Sequence, residues 1–272
     1  MIDIASRVAV YSRRGRKDLR SMKKIISNAS VTLLAVFILS GFVRGEKGRF
    51  TFDFESGIAF SGSNNVRIPG DTGTLFSLTR DLKSESGVYY RLRLNWRLSR
   101  RSTLSALFAP LTIKASGRVE APLVFVDRTF PAGSPLEGTY IFNSYRLTYR
   151  YEFIRNGRWT VGAGFTANIR DAVIRLTSGD LGSEKANVGF VPLLNFRAEY
   201  RGTGRWGFLL EADALAAPQG RAEDVLAAVL FRLSSALTIK AGYRLVEGGA
   251  DNKDVYTFAL IHYAAIGLLV DF

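Results

Sequence analysis

From residue 50 onward, apolar side chains recur at every second position. In RFTFDFESGIAFS, Phe50, Phe52, Phe54, Ile58 and Phe60 alternate with Thr51, Asp53, Glu55, Gly57 and Ala59. Successive side chains of a strand point to opposite faces, so such a segment has one apolar and one polar face. VYYRLRLNWRL sets Val88, Tyr90, Leu92, Leu94, Trp96 and Leu98 against Tyr89, Arg91, Arg93, Asn95 and Arg97. NSYRLTYRYEF sets Tyr145, Leu147, Tyr149, Tyr151 and Phe153 against Ser144, Arg146, Thr148, Arg150 and Glu152. The pattern predicts ten strands, at about 48–61, 87–98, 103–117, 139–153, 159–176, 186–200, 206–217, 221–233, 237–247 and 255–272. Pro110 disturbs the third, because proline cannot donate to a ladder. Short turns (SRRS, IRNGR, RGTGR, SSA) follow the second, fourth, sixth and eighth strands, and long connections span 62–86 and 118–138.

A soluble β-sandwich also alternates, so alternation alone leaves that fold open. Against it stand the strand lengths, well beyond the usual ~5–6 residues, and aromatics at strand ends: Trp96 just before a turn, Trp159 and Trp206 just after one. Interfacial girdles account for that placement. The fold expected over 46–272 is an all-β, antiparallel up-and-down transmembrane β-barrel of about ten strands. Over that range the chain resembles Gram-negative outer-membrane β-barrel proteins. Its final YAAIGLLVDF resembles the strand signal read by the barrel-assembly machinery, with Gly267, Val270 and Phe272 at the matching positions and Ala265 departing from the polar residue expected there. The resemblance implies a monomer in the cell outer membrane, in contact with outer-membrane lipids and lipopolysaccharide.

The first 45 residues read as a signal peptide, placing the mature start near 46. Met22, Lys23 and Lys24 precede an apolar run from Val31 to Leu39, with Val43 and Gly45 at the minus-three and minus-one positions of a cleavage site. That run is too short to cross a bilayer as a helix, which takes ~20 residues; a buried core helix is the alternative. Residues 1–21 read as an over-long start or an extended basic region. The leader changes the charge argument. It holds nine of the 37 Lys/Arg and two of the 24 Asp/Glu, so its removal lowers the net charge from +13 to +6. Nucleic-acid binding then loses its compositional support. With no cysteine in the chain, disulfides, thiolate metal sites and a cysteine nucleophile are excluded.

Three constellations carry candidate chemistry. Gly162-x-Gly164-x-x-Ala167 imitates a dinucleotide fingerprint, but that motif needs a helix to begin there, and the alternation runs straight through. No cofactor is expected. Pairing Phe153 with Trp159 would set Arg150 near Gly162 and Thr148 near Gly164, the glycines leaving room for arginine side chains. His262, the single histidine, falls on the apolar face with Phe258, Leu260, Ile266, Leu268 and Val270. A Ser–His hydrolase would have to use it, and no serine lies in the last 25 residues. Asp213 and Asp224 are expected opposite each other across the APQG turn, with Glu211 and Arg244 nearby and Arg221 at the rim. Two adjacent carboxylates can share a proton and serve as acid and base, although omptin proteases, also ten-stranded barrels, need a histidine at the mouth as well.

The competing reading is an ion-paired plug, with Glu55 opposite Arg93, because charges in a narrow lumen must pair. The lumen-facing set expected is Asp53, Glu55, Arg91, Arg93, Arg97, Arg146, Arg150, Arg170, Arg197, Glu211 and Arg244. Two function classes follow. One is a structural barrel or narrow solute channel, whose arginine-biased lumen would favour anions unless side chains fill so small a barrel. The other is an enzyme acting on lipid, lipopolysaccharide or peptide at the extracellular rim, with Asp213, Asp224 and His262 as its candidates; no metal is implied. The loop 62–86, with RIPGDTG, reads as a solvated glycine-rich segment or, alternatively, as a partner-binding loop.

Overall fold

The computed structural model describes residues 48–218 and 220–272; the expected leader and its cleavage site lie outside the described residues. The unit Arg49–Asp271 contains fifteen strands: β1 (Phe50–Arg67), β2 (Phe76–Ser77), β3 (Leu82–Ser84), β4 (Gly87–Arg97), β5 (Ser102–Ala109), β6 (Thr112–Arg118), β7 (Leu123–Phe125), β8 (Arg128–Phe130), β9 (Pro135–Arg155), β10 (Trp159–Ser178), β11 (Leu181–Arg201), β12 (Trp206–Ala217), β13 (Gly220–Arg232), β14 (Leu237–Asp251) and β15 (Tyr256–Asp271). Antiparallel ladders run β1-β4-β5-β9, continue through β10 to β15 in order, and return to β1, where Phe54 faces Leu268. The sheet therefore closes. β5 and β6 are one wall strand broken at Pro110. Ala109 faces Ser144 before the break and Thr112 faces Ile141 after it, so the proline removes a ladder bond without shifting the register. Counting that pair once gives ten wall strands among the described residues.

The two faces of the wall exclude the sandwich. Leu147, Phe165, Phe196, Phe208 and Leu268 stand exposed on the outside, while Asp53, Glu55, Arg91, Arg93, Arg146 and Arg244 are buried inside. An apolar exterior around a charged interior inverts a soluble protein and is the arrangement of a bilayer-spanning barrel.

The long connections are not solvated loops. In 62–86, β1 runs on to Arg67 and is followed by β2 and β3; in 118–138, β7 and β8 form a hairpin in which Leu123 faces Phe130. Phe76, Leu78, Leu82, Leu123, Phe125 and Phe130 pack into an apolar cap over that end of the barrel, and all are buried. Phe76 meets Phe125 edge-on at 5.9 Å. Backbone bonds stitch the two connections together: Thr74 N–H donates to Val124 O at 2.9 Å and Val126 N–H to Ile68 O at 2.8 Å. The β10–β11 hairpin also exceeds its predicted length, turning at Gly179, whose φ is +56°. From Leu181 to Leu193, β11 has a ladder to β10 alone. Its residues there are exposed on one face and mostly half-buried on the other, with none fully buried before Leu193.

Candidate functional site

The lumen divides into three levels. The middle one is a network of ion pairs around Glu55. Glu55 accepts from Arg244 through both carboxylate oxygens, at 2.8 and 2.9 Å, and lies 2.8 Å from Lys240 Nζ, which also reaches Asp53 at 2.6 Å. Asp224 binds Arg91 Nη2 at 2.7 Å, Arg146 Nη1 at 2.8 Å and Arg244. Asp213 accepts from Arg146, Thr166 and Asn195, each at 2.8 Å. Glu211 pairs with Arg93 and, at 3.0 Å, with Arg197. Among the described residues the buried ionisable side chains comprise seven carboxylates and seven cations. A low-dielectric interior tolerates such a set only when it is paired, and each of these carboxylates has a cation within ion-pair distance.

Toward the short turns lies a cavity of about 280 Å³ lined by eight arginines and three carboxylates, Glu152, Glu199 and Asp271. Toward the long connections lies another of about 340 Å³, whose apolar wall includes Ile68, Tyr140, Phe142 and Leu193, with Arg146, Asp213 and Asp224 at its base. The arginine bias expected of the whole lumen is thus confined to the short-turn end; the buried middle is balanced.

Each residue singled out in the sequence can now be located. Asp53, Glu55, Arg91, Arg93, Arg146, Arg150, Arg197, Glu211, Asp213, Asp224 and Arg244 are buried in the lumen. Arg97 lines the short-turn cavity. Arg170 lines the other one and donates to Asn187 Oδ1 at 2.8 Å. Asp213 faces Asp224 across the β12–β13 hairpin, yet Arg146 Nη1 lies 2.8 Å from an oxygen of each. A guanidinium occupies the place where a shared proton would sit, so the geometry is that of an ion-pair bridge. His262 is on the opposite face of the wall. Its ring stacks on Phe60 at 5.1 Å, bonds to the Tyr243 hydroxyl, and fills the notch at Gly62, the extra residue of a bulge in β1. A Cβ at Gly62 would lie 2.3 Å from His262 Nε2. The structure therefore does not bring the three catalytic candidates together. Gly267 faces inward, where a Cβ would meet Lys240 Cε at 2.7 Å.

Two register expectations need correction. Glu55 faces Arg91, and it is Asp53 that faces Arg93. Arg150 faces Gly164 rather than Gly162, because the hairpin already pairs Arg155 with Thr160 and a bulge then leaves Phe153 without a partner. The glycines still make room: a Cβ at Gly164 would fall 1.8 Å from Tyr149 O, and one at Gly162 would fall 3.1 Å from Arg150 Cγ. Lys240, Glu152 and Glu199 were missed, although each shares the parity of a lumen arginine on its own strand (Arg244, Arg150 and Arg197). Among the described residues, no group of three or more His, Asp or Glu side chains is placed to hold a metal ion.

No family model matches the chain, and no curated protein is similar to it in sequence. Among solved structures it is similar to the outer membrane protease OmpT from Escherichia coli, at 11% identity and TM-score 0.48, covering 82% of this chain and 96% of that one. It is also similar to Ail, the attachment invasion locus protein of Yersinia pestis, at 11% identity and TM-score 0.38, covering 82% and 99%. A third similar structure is the toluene transporter TodX of Pseudomonas putida, at 9% identity and TM-score 0.35, covering 84% and 91%.

Proposed function

We propose that this protein is a non-conducting barrel of a Gram-negative outer membrane, seated in outer-membrane lipid and lipopolysaccharide through its apolar wall, with a structural rather than a transport role. The observation that carries this reading is the balanced ion-pair network across the middle of the lumen. Six of the seven buried cations lie within ion-pair distance of a carboxylate, which leaves no string of open sites across the middle along which an ion could enter and leave. The apolar cap adds a second obstruction at the long-connection end. Aromatic pairs near the short turns, Trp159 with Tyr200 at 4.9 Å and Trp206 with Phe231 at 4.7 Å, fit one interfacial girdle. In such barrels the short turns face the periplasm. Insertion through recognition of Gly267, Val270 and Phe272 by the barrel-assembly machinery belongs to the same proposal.

Planar-bilayer recording of the purified, folded protein tests it: no current above leak is expected, and discrete conductance steps would overturn the reading. Cell fractionation supplies the second arm. Recovery of the protein in soluble fractions without detergent would remove the membrane assignment altogether.

A further inference from the structure

We infer that the short-turn cavity binds a phosphate-bearing anion, with Arg150 as its floor. Seven cations are buried in the lumen among the described residues. Arg91, Arg93, Arg146, Arg197, Lys240 and Arg244 each lie within ion-pair distance of a carboxylate. Among the described residues Arg150 has no such partner, although it is 4% exposed. The hydrogen bond its guanidinium makes, to Asn195 Oδ1, spans 3.5 Å. A buried cation without a counter-ion is costly, and among the described residues no carboxylate within ion-pair distance of Arg150 meets that cost.

The carboxylates of the cavity are committed elsewhere. Glu152 accepts from Arg155 and, at 3.2 Å, from Thr103. Glu199 holds Arg197 at 3.0 Å and Arg201 at 2.6 Å. Asp271 accepts from Thr51 at 2.5 Å. Arg150 lines the cavity together with seven other arginines. Guanidinium forks present paired N–H donors that match tetrahedral oxyanions, which a single ammonium cannot do. Gly162 completes the construction: a Cβ there would crowd Arg150 Cγ at 3.1 Å, so its absence leaves room for the Arg150 stem against β10. This inference is independent of conductance, because a dead-end pocket and a pore mouth would both bind the anion.

The test uses the full chain folded in a detergent free of phosphate, with inorganic phosphate as the probe. Phosphate should raise the melting temperature saturably, beyond sodium chloride at matched ionic strength. In Arg150→Gln the apparent phosphate affinity should fall about tenfold to a hundredfold, the loss of a hydrogen bond to a charged group. The phosphate-free melting temperature of that variant should stay level or rise, because an uncompensated buried charge is gone; a merely structural arginine would lower it. If Arg150→Gln does not fold, Arg205→Gln, an exposed residue of the same cavity, should weaken phosphate several-fold. A response no larger than that to chloride, or one undiminished in both variants, overturns the site. Repeating the titration in phosphatidylglycerol nanodiscs separates the sources: a lost response to free phosphate identifies a lipid headgroup as occupant, and a retained one identifies a soluble phosphate.

Discussion

The interior of this barrel is filled in two different ways. Its middle is a lattice of ion pairs between strands, and its long-connection end is a dry cluster of Leu and Phe. In the middle, stability rests on complete pairing: Asp224 serves three arginines and Glu55 serves Arg244 and Lys240. In the cap it rests on contact area, each buried Leu or Phe contributing about 1.5–3 kcal/mol. An ion lattice gains little from being present but loses much when one member is removed. An apolar cluster loses in proportion to the volume deleted.

The largest effect should come from breaking the lattice. Asp224→Ala leaves Arg91, Arg146 and Arg244 facing one another, and should lower stability by about 3–5 kcal/mol in urea titrations of the folded barrel. Adding Arg91→Ala should recover part of that loss, since the two side chains touch and their effects are not additive. If the single variant melts like the parent, the lattice is not what holds the middle together.

Leu123→Ala attacks the cap instead. The leucine opens β7 opposite Phe130 of β8 and is fully buried, and its truncation should cost about 2–5 kcal/mol. That cost should stay local, because β7 and β8 pair with each other outside the wall ladder. Hydrogen exchange should speed up within 68–86 and 119–134 while wall amides keep their protection. Loss of protection throughout the wall would mean that cap and barrel unfold as one.

The same contrast explains what could be read from the chain. Alternation determines which face a residue occupies, so the ten wall strands and the lumen side of Arg91, Arg146, Glu211 and Arg244 were visible without coordinates. Register is a separate matter. Asp213 was placed opposite Asp224 because a tight turn fixes the pairing on both sides of it. Glu55 was misplaced by two residues because the long connection 62–86 leaves the pairing of β1 with β4 free. Arg150 is misplaced by two because the ladder already starts with Arg155 facing Thr160, three residues out of the assumed register, and the bulge at Phe153 takes back one. Both errors preserved the face and changed the partner. The cap was missed because its leucines and phenylalanines stand in segments too short to show a period, although so many large apolar residues make poor loop composition. The isolation of Arg150 was not legible at all, since it depends on which carboxylates the other arginines have already taken.

The smallest effect concerns an ion pair outside the lattice. Arg175 faces Glu184 directly across β10 and β11, with Nη2 2.7 Å from the carboxylate, a geometry as good as that of Arg91 with Asp224. Both side chains are about half exposed. Water screens the attraction and solvates either partner once the other is gone, so Glu184→Gln should cost no more than about 0.2–1 kcal/mol. Measured beside Asp224→Asn in the same urea series, and compared per arginine partner, of which Asp224 has three and Glu184 one, it sets a dry pair against a wet one at the same ion-pair distance. Equal losses at the two sites would mean that pairing geometry, and not the dry surroundings, sets the strength of the lumen contacts. A loss at Glu184 several-fold smaller, and smaller still in added salt, would assign the difference to the exclusion of water from the barrel's interior.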